Sequence, residues 1–179
     1  MRREIEDGVL STAVECRCAM DPKTRQKALR LLTNGIYVMT SRSGEKFGAA
    51  TVTWVSQAGF KPPLLMVALR KDGNVLECAT ESRQAVLHIL DKRQANIAQK
   101  FFVSVNESSG LLNGEPYANG KKTSAPVLAN LHAYLECEVR EIMQEHGDHA
   151  IAILEVVNAE VPQDITPLTV ADSPWEYGG

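Results

Sequence analysis

The stretch GAATVTWVSQAGFKPPLLMVAL, residues 48–69, decides the fold. It begins with three small residues, alternates hydroxyls with apolar side chains, and breaks at two prolines before an apolar run. Small residues and hydroxyls in a strand-like segment indicate that something flat and polar-edged comes close to the backbone. A half-exposed strand, where Thr and Ser are common anyway, explains the same residues, and the pattern alone slightly favours it.

The flanking sequence predicts a mainly β chain with peripheral helices. Asp21-Pro22 is typical of a helix N-terminus, with an apolar stripe at Ala28, Leu29 and Leu32 and an end at Gly35. Strands are predicted over 36–42, 47–56, 64–69, 85–90, 131–142 and 151–157. A short helix is predicted from Asp72-Gly73 to about Thr80, a second one carries Ile97, Phe101 and Phe102, and residues 104–125 are predicted to form a loop. Hairpin connections outnumber crossovers, so an antiparallel barrel is favoured over a doubly wound parallel sheet.

Composition limits the classes of function. The 179 residues predict one domain over 21–179, preceded by an N-terminal extension over 1–20. The net charge of −3 and the aromatic fraction of 6% argue against a nucleic-acid surface. No window has the length and apolarity of a membrane span, no signal peptide is recognised, and the four cysteines form no Cys-x-x-Cys pair, so a cytoplasmic location is predicted.

Two short clusters contain candidate ligand-binding residues. His146-Gly-Asp148-His149 lies in a predicted turn, and a metal site is disfavoured there. His149 is expected to point towards a ligand. An ordinary Gly-Asp turn explains the same cluster. Residues 70–74, RKDGN, join a strand to a helix N-terminus, which favours phosphate, although Asp-Gly is also an ordinary turn. Cys16 and Cys18 are interpreted as ordinary thiols, and no metal is expected.

Several enzyme classes lack their motifs here. The chain has no Gly-x-Gly-x-x-Gly, no Walker motif, no Gly-x-Ser-x-Gly and no His-Glu-x-x-His. A nicotinamide enzyme built on a Rossmann unit is therefore not indicated.

Taken together, the segments resemble the flavin reductase-like family of FMN-binding split barrels, which includes flavoredoxins and NAD(P)H:flavin oxidoreductases. The resemblance rests on the quoted stretch, on LTNGIYVMTS (32–41), on SAPVLANLHAYLECEV (124–139) and on GDHAIAILEVVNAE (147–160). It implies a six-stranded antiparallel split β-barrel, a homodimer, and FMN, or FAD in some members, near the subunit interface. The tail PLTVADSPWEYGG (167–179) resembles that of a subset in which Trp and Tyr close over the flavin.

The resemblance also implies the site residues. The flavin-binding residues would be Thr51, Val52, Thr53, Trp54, Val55, Ser56, Gln57, Arg70, Lys71, Asn74, Phe101 and Phe102, with Arg70, Lys71 and Asn74 at the phosphate. Trp54 would cover the ring or pack beneath the strand, and core packing explains Phe101 and Phe102 equally well. His149 would act beside the nicotinamide of NADH or NADPH.

The implied function is that of an NAD(P)H-dependent flavin oxidoreductase that passes electrons to a further acceptor. The alternative is a flavodoxin-like electron-transfer module that carries FMN and is reduced by a protein partner. A barrel that has lost flavin, or adopted haem, is a third possibility. Departures from the family pattern lie at Thr53, at His88 and in residues 103–122, where the usual Asp-[Lys/Arg]-Phe segment is missing, so nicotinamide binding and the acceptor are the open points.

Overall fold

The computed structural model describes residues 20–131 and 133–175; Cys16, Cys18, His132 and the last four residues lie outside them. The helices are α1 (Pro22–Leu29), α2 (Asn74–Ser82) and α3 (Ala95–Lys100), with a 3-10 turn over Lys92–Gln94 before α3. The strands are β1 (Tyr37–Ser43), β2 (Lys46–Val52), β3 (Val55–Phe60), β4 (Pro63–Arg70), β5 (Gln84–Ile89), β6 (Glu107–Ser108), β7 (Leu111–Leu112), β8 (Glu115–Asn119), β9 (Pro126–Leu128), β10 (Ala133–Met143) and β11 (His149–Glu160).

The chain divides into two compact units. The first includes residues up to Leu31 and therefore α1; the second runs from Leu32 to Tyr177. The Asp21 carboxylate accepts from the Thr24 hydroxyl at 2.7 Å and, as an N-cap does, from the Thr24 N–H at 2.9 Å, and these two bonds lower the pKa of Asp21. The predicted extent of α1 is wrong at its other end, because the helix stops at Leu29 and none of its residues is buried.

The second unit is built on one large antiparallel sheet. Its strand order is β2-β1-β5-β10-β11-β4-β3, and every neighbouring pair is antiparallel. The edge strands β2 and β3 follow each other in the chain and form no ladder with each other within the described residues. The predicted mainly β, antiparallel class is confirmed, and the sheet is open between β2 and β3, as in a split barrel.

Two large apolar clusters fill most of this unit, and a small third cluster joins Val86, Ala125 and Tyr134. The first lies between the sheet and α2, where Met39, Val67 and Leu154 are fully buried. The second lies under α3 and includes Phe101 and Leu112. Burying each such side chain stabilises the fold by roughly 1.5–3 kcal/mol. The cleft described below opens beside the second cluster.

The predicted strand over 47–56 is wrong in its continuity. The chain leaves β2 after Val52 and begins β3 at Val55, with the Val55 N–H donating to the Thr53 carbonyl at 3.1 Å. Thr53-Trp54 is therefore a connection between two strands. The expected break is present: Pro62 lies between β3 and β4, and Pro63 is the first residue of β4.

The predicted loop over 104–125 is wrong in part, because β6, β7 and β8 form there and join β9, which follows the loop, in a four-stranded sheet. Two turns allow it. Ser109-Gly110 has φ of +54° and +80°, and Asn113-Gly114 has φ of +47° and +83°. Two successive positive φ values suit tight hairpins, and Asn-Gly is the commonest sequence for them.

On β10, alternation places Tyr134 and Glu136 on the face opposite to Ala133, Leu135 and Cys137, and yet both are buried. The Glu136 carboxylate accepts from the backbone N–H groups of Lys121, Lys122 and Thr123 at 2.8–3.1 Å, and from Asn158 Nδ2 at 2.8 Å. Burial works to raise its pKa, but these donors outweigh burial and lower it. Glu136 therefore fixes the loop that follows β8.

Gly48 lies too close to the backbone of α2 to carry a side chain. A Cβ on Gly48 would lie 2.5 Å from the Asn74 carbonyl oxygen and 2.6 Å from the Val75 Cα. Strand β2 and the first turn of α2 are in backbone contact at this point, so the expectation that the small residue at 48 makes room for a ligand is wrong there.

Candidate functional site

A cleft opens between the end of β2, the C-terminal end of α3 and the tail. Its main chamber has a volume of about 650 Å³ and is lined by Ile36, Ala50, Thr51, Thr53, Arg70, Phe101, Phe102, Val170, Ser173, Pro174 and Trp175. A side chamber of about 430 Å³ is lined by Ala49, Ala50, Arg70, Asp72, Gly73, Asn74 and Phe101–Val105. The chambers share Ala50, Arg70, Phe101 and Phe102, and together they have the size of a site for a large cofactor.

The floor of the main chamber comes from β2 and from the connection after it. The Thr51 hydroxyl donates to the Ala98 carbonyl at 2.6 Å, and the Thr51 N–H donates to the Phe101 carbonyl at 3.1 Å, so Thr51 ties the strand to α3. Thr53 is only 4% exposed, yet its hydroxyl has no hydrogen-bond partner among the described residues. A buried hydroxyl without a partner costs about 1–3 kcal/mol, so a polar ligand edge in the chamber would satisfy it.

Aromatic rings form the opposite wall. Phe101 is buried in the second apolar cluster, whereas the Phe102 side chain is 51% exposed. Phe102 meets the Trp175 ring edge-on, with the ring centroids 4.8 Å apart and the planes at 75°. Both rings line the chamber, so this wall presents apolar area suited to a flat ring system.

The side chamber ends at the N-terminus of α2. Gly73 caps that helix without a side-chain hydrogen bond, and both Gly73 and Asn74 line the chamber, so the start of the helix borders it. Arg70 donates to Asp72 from Nε at 2.9 Å and from Nη2 at 2.6 Å, and this pair lowers the pKa of Asp72. The guanidinium and the helix N-terminus together make this end receptive to an anion.

His149 lies in a third, smaller pocket. Arg70, Lys71, Asp72, Asp148 and His149 line it, and its volume is about 360 Å³. His149 Nδ1 lies 2.8 Å from Asp148 Oδ1, and this hydrogen bond lowers the pKa of Asp148. Arg70 lines this pocket as well as both chambers, and His149 pairs with Arg70 across β11 and β4.

The remaining predicted flavin-binding residues do not line the two chambers. Lys71 donates from Nζ to the Gln144 carbonyl at 2.5 Å and lines the His149 pocket only. Val52 is in the first apolar cluster, and Val55 packs against that cluster. Ser56 and Gln57 are exposed on β3, and neither lines the chambers. Trp54 packs against His149.

Residues outside the predicted set of site residues complete the cleft. Ile36, Val170, Ser173 and Pro174 line the main chamber and were not predicted, whereas Ala50 belongs to the small residues that begin the quoted stretch. Only the tail resemblance gave a signal for this region: Trp175 lines the chamber, while Tyr177 lies outside the described residues. Within residues 20–131 and 133–175, no three His, Cys, Asp or Glu side chains come together as a metal-binding group.

Comparisons with known proteins place this cleft in context. The sequence model of the flavin reductase like domain matches residues 29–176. Diflavin flavoprotein A 1 of Synechocystis sp. is 34% identical over 141 residues, which are 76% of this chain and 24% of that protein. The chain spans about a quarter of the length of the curated relatives it matches.

Solved structures agree with the fold. An NADH:FAD oxidoreductase of Streptomyces globisporus superposes with a TM-score of 0.65 at 25% identity, covering 79% of this chain and 86% of that one. The styrene monooxygenase flavin reductase of Pseudomonas putida superposes with a TM-score of 0.66 at 26% identity, covering 81% and 90%. The split-barrel resemblance predicted from the sequence is thereby confirmed, and the chain belongs to the flavin reductase like domain family.

Proposed function

We propose that this domain binds FMN in the cleft and catalyses the NAD(P)H-dependent reduction of flavin, with the electrons passed to a further acceptor. The observation that carries the proposal is the unpartnered, buried Thr53 hydroxyl in the wall of a chamber of about 650 Å³. Such a group favours a ligand with a polar edge at that position.

The lining residues fit a flavin along its length. The small side chains of Ala50 and Thr51 leave room for a flat ring beside the strand, and we assign the unpartnered Thr53 hydroxyl to its polar edge. Phe102 and Trp175 offer apolar area on the other side. Arg70 and the first turn of α2 would hold the phosphate.

A bound flavin supplies the hydride-accepting chemistry, so the chain itself needs no nucleophile. The role of its residues is to bind and orient the flavin and the nicotinamide and to exclude water. We assign His149 to the nicotinamide side: Nδ1 is engaged by Asp148, which leaves Nε2 to face a ligand in the pocket next to Arg70. We expect these residues to raise the rate by holding the nicotinamide ring and the flavin ring about 3–3.5 Å apart.

Neighbouring proteins support the choice of substrates. A structural neighbour from Streptomyces globisporus is described as an NADH:FAD oxidoreductase, and a second structure of it is a complex with NAD and FAD fragments. FAD is therefore the alternative flavin here, and NADH and NADPH are both candidate donors. A protein that takes over the electrons is the proposed acceptor, since the Pseudomonas putida neighbour is described as the flavin reductase of a monooxygenase.

A spectroscopic titration tests the proposal. The purified protein is mixed with FMN, its visible spectrum is recorded, and NADH or NADPH is added without oxygen. We expect flavin binding and prompt bleaching with at least one nicotinamide. A protein that neither binds FMN or FAD nor accelerates its reduction would contradict the proposal.

The second candidate is an electron-transfer module that carries FMN and receives electrons from a protein partner or a neighbouring domain. It is favoured by the match to one quarter of a diflavin flavoprotein. Flavin that bleaches with dithionite and not with either nicotinamide would select this function.

The predicted homodimer and cytoplasmic location remain proposals. No helix among the described residues combines the length and apolarity required to cross a bilayer. Light scattering on the purified protein measures the oligomeric state, and a mass of one chain, 19.6 kDa, would contradict the dimer.

A further inference from the structure

Residues 101–105, which we name the wall segment, line the side chamber throughout, and Phe101 and Phe102 also line the main chamber. The start of the segment is fixed, because the Phe101 N–H donates to Ala98 and its carbonyl accepts from Thr51. By contrast, residues 103–105 form no hydrogen bond within the described part of the chain. The shape of this wall therefore depends on what holds its two ends.

One residue bonds both ends. Asn113 Nδ2 donates to the Lys100 carbonyl at 2.8 Å, immediately before the wall segment. Asn113 Oδ1 accepts from the Asn106 N–H at 2.7 Å, and the Asn113 N–H donates to the Asn106 carbonyl at 2.9 Å, immediately after the segment. Both polar atoms of one amide side chain thus bridge the segment.

The position suits asparagine. Asn113 has φ of +47°, in the left-handed region that Asn tolerates better than most residues, and Gly114 follows with φ of +83°. Aspartate of the same shape would keep the acceptor and lose the donor to Lys100. Glycine would keep the backbone geometry and lose both side-chain bonds.

The hairpin that carries Asn113 is itself anchored. Leu112 is fully buried in the second apolar cluster, beside Phe101. Glu115, also buried, accepts from Lys100 Nζ at 2.6 Å and from Asn130 Nδ2 at 2.7 Å. These contacts hold the hairpin against the C-terminal end of α3, so Asn113 is presented to the wall segment from a fixed position.

We propose that Asn113 is a positioning residue of the flavin site, which clamps residues 101–105 into the shape that receives the ligand. The inference rests on the proposed function, since it assigns the clamp to flavin affinity. Asn113 itself does not line the chambers and acts through Phe102 and its neighbours.

The test compares two glycine substitutions in adjacent hairpins of one small sheet. Asn113→Gly removes the clamp. Ser109→Gly is the matched control, because Ser109 has φ of +54° before a glycine, as Asn113 does, and bonds neither end of the wall segment. The dissociation constant for FMN is measured by quenching of flavin fluorescence, and the melting temperature is measured on the same samples.

We expect Asn113→Gly to raise the FMN dissociation constant about tenfold, from the loss of two hydrogen bonds and a less ordered wall. Ser109→Gly should bind as the wild type does, with a smaller change in melting temperature than Asn113→Gly, because it removes no side-chain hydrogen bond within the described residues. Asn113→Asp, should the glycine variant not fold, is expected to weaken binding at least threefold. Wild-type affinity in a folded Asn113 variant overturns the inference alone, whereas a wild-type protein that binds no flavin overturns the proposed function with it.

Discussion

The ring of Trp54 lies against the imidazole of His149, with the ring centroids 4.7 Å apart and the planes inclined at 55°. The connection between β2 and β3 is thereby packed onto the first residue of β11. Together with the Asp148 hydrogen bond to Nδ1, this contact fixes the orientation of the imidazole. His149 is therefore a preorganised side chain beside Arg70, which lines the flavin cleft.

His149→Ala tests the role assigned to the imidazole. We expect kcat/KM for the nicotinamide to fall roughly tenfold while the FMN dissociation constant changes less than about twofold, because the ring lies in the pocket next to the cleft and not in its lining. His146→Ala, in the same turn and exposed, is the matched control. Unchanged nicotinamide kinetics in His149→Ala would remove the assigned role.

Thr53→Val tests the unpartnered hydroxyl. The substitution keeps the shape of the side chain, so FMN binding should weaken roughly three- to tenfold through the loss of one hydrogen bond. The free energy of unfolding of the free protein should stay constant or rise, because a buried, unbonded hydroxyl is removed.

Thr51→Val is the comparison for that experiment. The Thr51 hydroxyl is bonded to the Ala98 carbonyl, so its loss should lower the free energy of unfolding by about 1 kcal/mol. Chemical denaturation and flavin titration of both variants separate the two roles. Equal FMN affinity in Thr53→Val and the wild type would show that the ligand does not use the Thr53 hydroxyl.

Local chemistry explains which parts of the fold were predictable. Asp21-Pro22 and the turn around Gly44 act on neighbouring residues, so the start of α1 and the β1–β2 hairpin follow from short sequence patterns. The burial of Glu136 does not, because its donors lie 13–15 residues earlier in the chain. Alternation along β10 places a charged side chain outward, and only tertiary packing supplies the three N–H groups that keep it inside.

The residues of the site likewise include some that were predictable from the sequence and some that were not. Thr51 and Thr53 stand two residues apart near the end of a strand, so a shared face was predictable from the pattern. Trp175 and Val170 reach the cleft from the tail, more than a hundred residues further along the chain, and no local period reports that packing. The alternation from Thr51 to Trp54 breaks at Val55, and the prediction of one strand over 47–56 missed the end of β2 at Val52. Ser56 and Gln57 therefore lie on β3 and do not line the cleft.

Arg70 and Lys71 are adjacent cations, and the structure separates them. Arg70 lines both chambers, whereas the Lys71 ammonium is bonded to the Gln144 carbonyl. We expect Arg70→Gln to weaken FMN binding about tenfold and Lys71→Gln to change it little, since only the first removes a charge from the side chamber. Riboflavin, which lacks the phosphate, provides the control: Arg70→Gln should leave its affinity unchanged, and an equal loss for both ligands would contradict a phosphate role.

His88 links the stability of the barrel to pH. It is fully buried on β5, and its Nδ1 lies 3.0 Å from the Val38 carbonyl while Nε2 accepts from the Leu128 N–H at 3.0 Å. Both bonds require the neutral imidazole with the proton on Nδ1. Burial, opposed only by the bond to Val38, lowers the pKa of His88 from 6.5 to about 4.

Because the unfolded chain takes up this proton near pH 6.5 and the folded chain only near pH 4, the free energy of unfolding should fall as the pH drops through this window. The total loss is on the order of 3 kcal/mol. Chemical denaturation between pH 7.5 and about 4 measures it, with His88→Asn as the comparison, since asparagine does not titrate and the other histidines are common to both proteins. Parallel pH profiles for the two proteins would contradict a neutral, bonded His88, whereas a flatter profile in His88→Asn assigns the pH dependence to this one imidazole, which joins β5 to β1 and β9.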